Sequence, residues 1–116
     1  MSEDESLVAI GYLRTDLSGE RRQWDAKWLS ALATRYGYHM ALILTHTSST
    51  PNRTAHLFDL IRRMNAVAVF IPTLEHLPAA VVRALLAEID GVTTLYPERT
   101  FDAYEVPYRG KSPSEM

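Results

Sequence analysis

Four short apolar runs alternate with three segments of helical length, and this alternation restricts the fold more than any other feature of the chain. The apolar runs span residues 7–12, 38–44, 66–72 and 92–97. Runs of this length bounded by turn residues are typical of buried strands. The run "AVAVFIP" (66–72) is the strongest, because β-branched and aromatic residues crowd into it and Pro72 ends it. We expect it to be a central strand.

The segments between the runs carry apolar residues at helical spacing. The three sets are Trp24, Trp28, Leu29, Leu32 and Tyr36, then Leu57, Leu60, Ile61 and Met64, and then Val81, Val82, Leu85, Leu86 and Ile89. Gly37 and Gly91 supply C-terminal stops for the first and third sets. The spacing predicts three amphipathic helices. We expect Trp24 and Trp28 to belong to the core rather than to a surface on which nucleic-acid bases stack. If the two tryptophans are exposed, they would mark a surface that binds a partner.

The order β-α-β-α-β-α-β predicts an α/β fold in three layers. Each right-handed crossover between parallel strands needs a helix packed on the sheet, so we expect a mostly parallel four-stranded sheet with helices on both faces. Residues 7–97 would form this domain, after an acidic flexible leader at 1–6. Residues 98–116 lack apolar periodicity and are expected to form an extended or disordered tail.

Ligands of parallel sheets bind beyond the carboxyl ends of the strands. The segments 14–18, 45–53 and 73–77 would therefore meet at one edge of the sheet.

Composition narrows the kinds of site that this edge can hold. The chain has no cysteine, which removes disulfides, thiolate metal sites and cysteine nucleophiles. His39, His46, His56 and His76 are not at metal-ligand spacing, so we expect surface or singly bonded histidines, no metal and no other cofactor. The acidic N-terminus and the lack of an apolar run of roughly 18 residues predict a cytoplasmic protein with no membrane partner.

Three motifs at this edge together resemble the catalytic domain of the resolvase/invertase serine recombinases. They are "IGYLRTD" (10–16), "TPNRTAHLFDLIRR" (50–63) and "VAVFIPTLEHL" (67–77). That family has a strand ending in Tyr-x-Arg-x-Ser, an Arg-Pro-Gly-like entry into a helix, and a buried strand running into Leu-Asp-Arg-Leu-x-Arg. The resemblance covers about residues 7–96. It implies a flavodoxin-like sheet on which a serine hydroxyl attacks a DNA phosphodiester while arginines stabilise the phosphoryl charge.

Position by position, the resemblance implies a site that has lost its nucleophile. Arg14 falls on the family's first active-site arginine and Arg53 on the arginine before the second helix. The nucleophile position holds Asp16, a carboxylate that repels a phosphodiester. Glu75 and His76 stand where the family has Asp-Arg, and a histidine that is mostly neutral at pH 7 replaces an arginine poorly.

The residues beside Arg14 leave alternative interpretations open. Ser18 is either a displaced nucleophile or, as we favour, the cap of a helix that begins near Glu20. Arg14 either meets a phosphate or pairs with Asp16 or Glu75. Arg53 suits a phosphate contact and a solvated helix start equally. Asp16 and Glu75 could instead hold Mg²⁺ as in a receiver domain, although the lysine that receivers use has no counterpart here.

We therefore predict a catalytically inactive serine-recombinase-like domain that acts as a small binding or regulatory module. Its first expected partner is a second copy of itself, since members of the family assemble through this domain. DNA, bound weakly and without sequence specificity, or another protein are the other partners considered. The alternatives are a minimal active recombinase that exchanges DNA strands with Ser18, and a receiver-like Mg²⁺-binding domain. We expect no dimerisation helix or helix-turn-helix after Tyr96.

Overall fold

The computed structural model describes residues 7–105, whose strands form one five-stranded sheet. The strands are β1 (Leu7–Arg14), β2 (Tyr38–His46), β3 (Ala68–Ile71), β4 (Gly91–Leu95) and β5 (Glu98–Phe101). Their order across the sheet is β2-β1-β3-β4-β5. The first four strands are parallel, and β5 runs antiparallel to β4. The predicted α/β fold with a mostly parallel sheet is confirmed.

Helices connect the parallel strands, as the alternation of patterns predicts. They are α1 (Thr15–Ser18), α2 (Arg22–Arg35), α3 (Arg53–Met64) and α4 (Ala79–Leu86). Single 3₁₀ turns at Gly19–Arg21 and Leu74–His76 precede α2 and α4. Within residues 7–105, no helix is both long enough and apolar enough to cross a lipid bilayer.

Two hydrophobic clusters lie on opposite faces of the sheet. Successive side chains of a strand point to opposite faces, and β1 and β3 divide their residues in this way. Ile10 and Val69 pack in the larger cluster with α3 and α4. Ala9 and Phe70 pack in the smaller cluster with Leu29 and other residues of α2. The central strands are therefore buried on both faces, which explains their nearly continuous apolar sequence.

The prediction of four strands is wrong, because the first residues of the expected tail form β5. Val92 pairs with Phe101 and Leu95 pairs with Glu98 in an antiparallel ladder. Phe101 is the one buried residue of this four-residue edge strand, so alternation along "ERTF" is too short to be recognised. The leader predicted at 1–6 and the tail beyond residue 105 lie outside the described residues.

The prediction that Trp24 and Trp28 belong to the core is also wrong. Trp24 is 52% exposed and Trp28 is 39% exposed, whereas Leu29 and Leu32 are buried. Residues 24 and 29 lie about 140° apart around a helix of 3.6 residues per turn. Turning the leucines toward the sheet therefore turns the tryptophans outward, and brings Asp25 into the interior.

Candidate functional site

The carboxyl ends of β1 and β3 mark the point where the chain leaves the sheet in opposite directions. From β1 the chain crosses to β2 on one side, and from β3 it crosses to β4 on the other. Diverging connections leave a crevice between neighbouring strands, where ligands of parallel sheets bind. Arg14 ends β1, and His76 ends the turn that follows β3. Loops from both strands and the start of α3 meet here, as predicted.

A cleft of about 200 Å³ opens at this point, and we call it the arginine cleft. Its polar lining comes from Tyr12, Arg14, Thr50, Asn52, Arg53, Thr54 and His76. Leu57 of α3 contributes to its apolar wall, which places the cleft on the sheet face covered by α3 and α4. The structure thus brings together three of the predicted site residues, Arg14, Arg53 and His76.

Arg14 forms a two-point ion pair with Asp16, one of the two partners predicted for it. Its Nε donates to Asp16 Oδ1 at 2.9 Å and its Nη2 donates to Oδ2 at 2.7 Å. These hydrogen bonds lower the pKa of the Asp16 carboxyl and raise the pKa of the Arg14 guanidinium. Glu75 is exposed on the neighbouring turn, and it forms no ion pair with Arg14 in residues 7–105.

Arg53 holds the loop before α3 together with one end of its guanidinium. Its Nη1 donates to the carbonyl oxygens of Thr47 at 3.2 Å, Ser48 at 2.7 Å and Thr50 at 3.3 Å. Asn52, which precedes α3, has a φ of 55°, a left-handed conformation that asparagine tolerates better than most residues. The loop is therefore fixed by Arg53 itself, and the sequence offered no signal for this role.

His76 is a buried wall residue rather than a cation. The backbone N–H of Arg14 donates to His76 Nδ1 at 2.9 Å, and the side chain is almost fully buried. Burial lowers the pKa of His76, and the nearby Asp25 carboxylate offsets part of this effect. A neutral imidazole that accepts at Nδ1 carries its proton on Nε2. His76 therefore fixes the end of β1 against the turn after β3 and adds no positive charge at pH 7.

A hydrogen-bond chain leads from the arginine cleft to the surface, and the sequence analysis missed it. The Tyr12 hydroxyl lies 3.1 Å from His46 Nδ1, and His46 Nε2 lies 3.0 Å from His56 Nδ1. Tyr12 and His46 are buried, whereas His56 is exposed. Burial raises the pKa of Tyr12 and lowers that of His46. The expectation of surface or singly bonded histidines is thus wrong for His46, which is buried and bonded through both ring nitrogens.

Ser18 lies in a separate cleft of about 150 Å³ on the α2 side of the sheet edge, which we call the serine cleft. The Ser18 hydroxyl donates to Asp25 Oδ2 at 2.7 Å, and the Tyr96 hydroxyl donates to Asp25 Oδ1 at 3.2 Å. Arg21 Nη2 donates to the Tyr96 oxygen at 2.7 Å. Ser18 makes no side-chain cap, so the capping prediction is wrong; its hydroxyl satisfies a buried carboxylate instead.

The two clefts share His76 in their walls but separate the other predicted residues. Arg14 and Arg53 line the arginine cleft, whereas Ser18 and Glu75 line the serine cleft. Within residues 7–105, no group of three or more His, Cys, Asp or Glu side chains is arranged to hold a metal ion. Both carboxylate oxygens of Asp16 accept from Arg14, and Glu75 lines the other cleft.

Comparison with known proteins assigns the chain to no family. It matches no protein-family model, and searches of curated proteins and of solved structures find no significant match.

Proposed function

We propose that the chain is a catalytically inactive, serine-recombinase-like binding module whose arginine cleft receives a phosphate group of DNA. One observation carries this proposal. Arg14, Arg53 and the first turn of α3 share a cleft at the strand ends, while an acid, Asp16, occupies the position that the resemblance gives to the nucleophile.

Both arginines keep hydrogen-bond donors that their protein partners do not use. A guanidinium carries five N–H donors. Arg14 uses its Nε and one Nη2 hydrogen on Asp16, which leaves both hydrogens of Nη1. Arg53 bonds to the loop carbonyls through Nη1 and also interacts with the Tyr12 oxygen, so at least two of its five donors remain. The remaining donors suit the several acceptor oxygens of a phosphate.

The start of α3 adds a third source of positive potential. The first intrahelical bond runs from the His56 N–H to the Asn52 carbonyl at 3.0 Å, so the earlier N–H groups have no partner within the helix. The first turn of α3 contains no acidic residue. Helix N-termini attract anions. With two guanidinium charges and the Asp16 carboxylate, the cleft carries one net positive charge, enough for a single phosphate.

The position of Ser18 argues against strand exchange. The Ser18–Asp25 hydrogen bond favours the alternative of an active enzyme, because a carboxylate can accept a proton from an attacking hydroxyl. However, Ser18 lines the serine cleft, and the two arginines line the other one. A phosphate held between Arg14 and Arg53 is therefore not presented to the Ser18 hydroxyl, and we place binding ahead of catalysis.

The sheet supports the recombinase-like part of the proposal in one respect and departs from it in another. The strand order β2-β1-β3-β4-β5 is that of flavodoxin-like folds, whose ligands bind between β1 and β3. The antiparallel β5 is a departure from an all-parallel sheet of that type. Kinship with the recombinases and a cytoplasmic location remain predictions from the sequence.

Fluorescence anisotropy with a short fluorescein-labelled DNA duplex tests binding. We expect weak binding that falls as salt rises, and a loss of about tenfold in affinity for Arg14→Gln. Arg63→Gln is the matched control, because Arg63 lies in the last turn of α3, at the far end of the helix from the cleft. Equal losses in both variants would mean that only net charge matters and would contradict a specific cleft.

Incubation with supercoiled plasmid, followed by denaturing electrophoresis, tests catalysis. We expect neither nicked plasmid nor a covalent protein–DNA adduct. An adduct that disappears in Ser18→Ala and persists in Thr47→Ala would replace this proposal with the minimal recombinase.

A further inference from the structure

The exposed face of α2 and of the turn before it carries a stripe that no described part of the chain covers. We define the α2 stripe as Glu20, Trp24, Lys27, Trp28, Ala31 and Arg35, all of which are exposed. Trp24 and Trp28 contact each other edge to face, with ring centroids 5.7 Å apart. Two neighbouring, half-exposed tryptophans are an unusual feature of a monomer surface and mark an interaction site.

We infer that a second copy of the chain binds this stripe, through an antiparallel α2–α2 contact around a twofold axis between residues 27 and 28. In a contact between identical surfaces, each residue faces a fixed partner on the other copy. With the axis at this place, residue 20 faces residue 35, residue 24 faces residue 31, and residue 27 faces residue 28.

Charge and size are complementary in this register. Glu20 faces Arg35 of the other copy at both ends of the contact; Arg35 uses only Nη2 on Glu98 of its own chain, so its other donors can meet the Glu20 carboxylate. Trp24 faces Ala31, so a large side chain meets a small one, as ridges and grooves require. Lys27 faces Trp28, where an ammonium group over an indole ring is favourable. The stripe is thus complementary to itself at each of its six positions.

The charges of α2 favour a second copy over nucleic acid as the occupant. Arg21 lies 3.7 Å from the Asp25 carboxylate and Arg35 is paired with Glu98, so part of the positive charge on this side is balanced within the chain. Arg22 donates to the Gly19 carbonyl from beside the stripe. Lys27 and Arg22 remain, and they form a small cationic surface for a phosphate backbone, which proteins usually meet with several Lys or Arg side chains.

This inference is independent of the arginine cleft. The stripe lies on the α2 side of the sheet, and the cleft lies on the side of α3 and α4. Self-association is measured without DNA, and DNA binding is measured separately. A negative result in one measurement therefore does not contradict the other proposal.

Sedimentation equilibrium of the full chain tests self-association. The monomer mass is 13.1 kDa, and we expect the average mass to approach twice this value between about 10 μM and 1 mM, as a small interface predicts. Trp28→Ala should weaken the dimer about tenfold, while circular dichroism shows that it remains folded. Arg83→Ala, on the exposed side of α4, is the control and should change nothing. A wild-type chain that stays monomeric over this range overturns the inference, whatever else then binds the stripe.

Cysteine crosslinking tests the register, since the chain has no cysteine of its own. Lys27→Cys lies next to the proposed axis and should form a disulfide-linked dimer on mild oxidation. Ala31→Cys lies about 10 Å along the helix axis from its own copy and should not. Arg83→Cys controls for random collision. Crosslinking of Ala31→Cys as fast as that of Lys27→Cys would overturn the antiparallel register.

Discussion

The two clefts at the carboxyl edge of the sheet share a wall but use their charged groups in opposite ways. In the arginine cleft, the charged groups are partly exposed, and Arg14 and Arg53 keep donors available. In the serine cleft, the Asp25 carboxylate is buried and accepts hydrogen bonds from Ser18 and Tyr96. Asp25 thus contributes to the packing of α2, whereas Arg14 and Arg53 line an open cleft.

This difference bears on the chemistry that the resemblance to a catalytic motif implies. The motif's nucleophile position holds Asp16, and the hydroxyl that could replace it beside Arg14 in the chain was expected at Ser18. The fold directs Arg14 and Ser18 to opposite sides of the edge, because α1 carries Ser18 toward α2 while Arg14 faces the arginine cleft. A reaction that needs both residues at one phosphate loses its geometry even though both are present.

The largest effect is expected from Asp25→Ala in the serine cleft. This change leaves the Ser18 and Tyr96 hydroxyls without their acceptor, at a cost of about 2–3 kcal/mol in the free energy of unfolding. Urea denaturation followed by circular dichroism measures it. Asp16→Ala should cost much less, because its ion pair with Arg14 is on the surface. Equal losses would contradict the contrast between a structural cleft and a binding cleft.

Ser18→Ala should have the next largest effect on stability. It removes one hydrogen bond to a carboxylate that keeps its contact with Tyr96, so we expect a loss of about 1 kcal/mol in the same denaturation experiment. Thr47→Ala provides a comparison in an exposed loop. A Ser18→Ala variant as stable as wild type would show that the Ser18–Asp25 bond contributes little to the packing of α2.

Asp16→Asn tests whether the arginine cleft is where the DNA phosphate binds. The change removes the one carboxylate paired with Arg14, so affinity for the labelled duplex should rise about threefold to fivefold. Asp59→Asn, at an exposed ion pair with Arg63 on α3, should raise it less. If Asp59→Asn has the larger effect, the phosphate binds elsewhere than the arginine cleft.

The smallest effect is expected from His76→Asn, and it appears in the pH dependence of stability. Burial holds the pKa of His76 below its unfolded value of about 6.5, so the unfolded chain binds more protons near that pH. The stability that the neutral His76 imidazole contributes is therefore fully present above the unfolded pKa. It is lost as the pH falls below that value toward the folded pKa. His46, with its pKa lowered by burial, adds a loss of the same sign.

An asparagine at position 76 can still accept from the Arg14 N–H but does not titrate. We therefore expect the loss of stability between pH 7 and pH 5 to be smaller in His76→Asn than in wild type. His39→Asn, at an exposed position on β2, should retain the wild-type slope. A wild-type slope in His76→Asn would mean that His76 does not contribute to the pH dependence.

The fold was more predictable than the site, for reasons visible in particular residues. The sequence predicts β3 from the run "AVAVFIP" and α3 from the spacing of Leu57, Ile61 and Met64. Both predictions succeed because buried apolar residues recur with the period of the strand or helix that buries them. The fifth strand was missed because β5 offers a single buried residue, Phe101. The prediction for Trp24 and Trp28 was wrong because an exposed stripe and a buried stripe of a helix have the same spacing.

The site depended on contacts between residues far apart in the chain. The sequence indicated Arg14 and Asp16 as site residues and gave Asp16 as one of the possible partners of Arg14, beside Glu75 and a phosphate. It could not indicate that Ser18 meets Asp25 beside Tyr96, or that His46 links Tyr12 to His56. These contacts join separate elements, and nothing in the local sequence of either partner requires them.

The sequence alone determined the order of the four parallel strands and of the long helices between them, the buried central strands and the edge at which polar loops gather, because buried residues recur along the sequence with the period of their strand or helix. The tertiary structure decided which polar residues face one another. It placed Arg14 and Arg53 in one cleft, Ser18 in another, and the tryptophans of α2 outside. The physical reason is that rotation and packing of whole helices set these positions, and many side chains distributed along the chain determine that packing together.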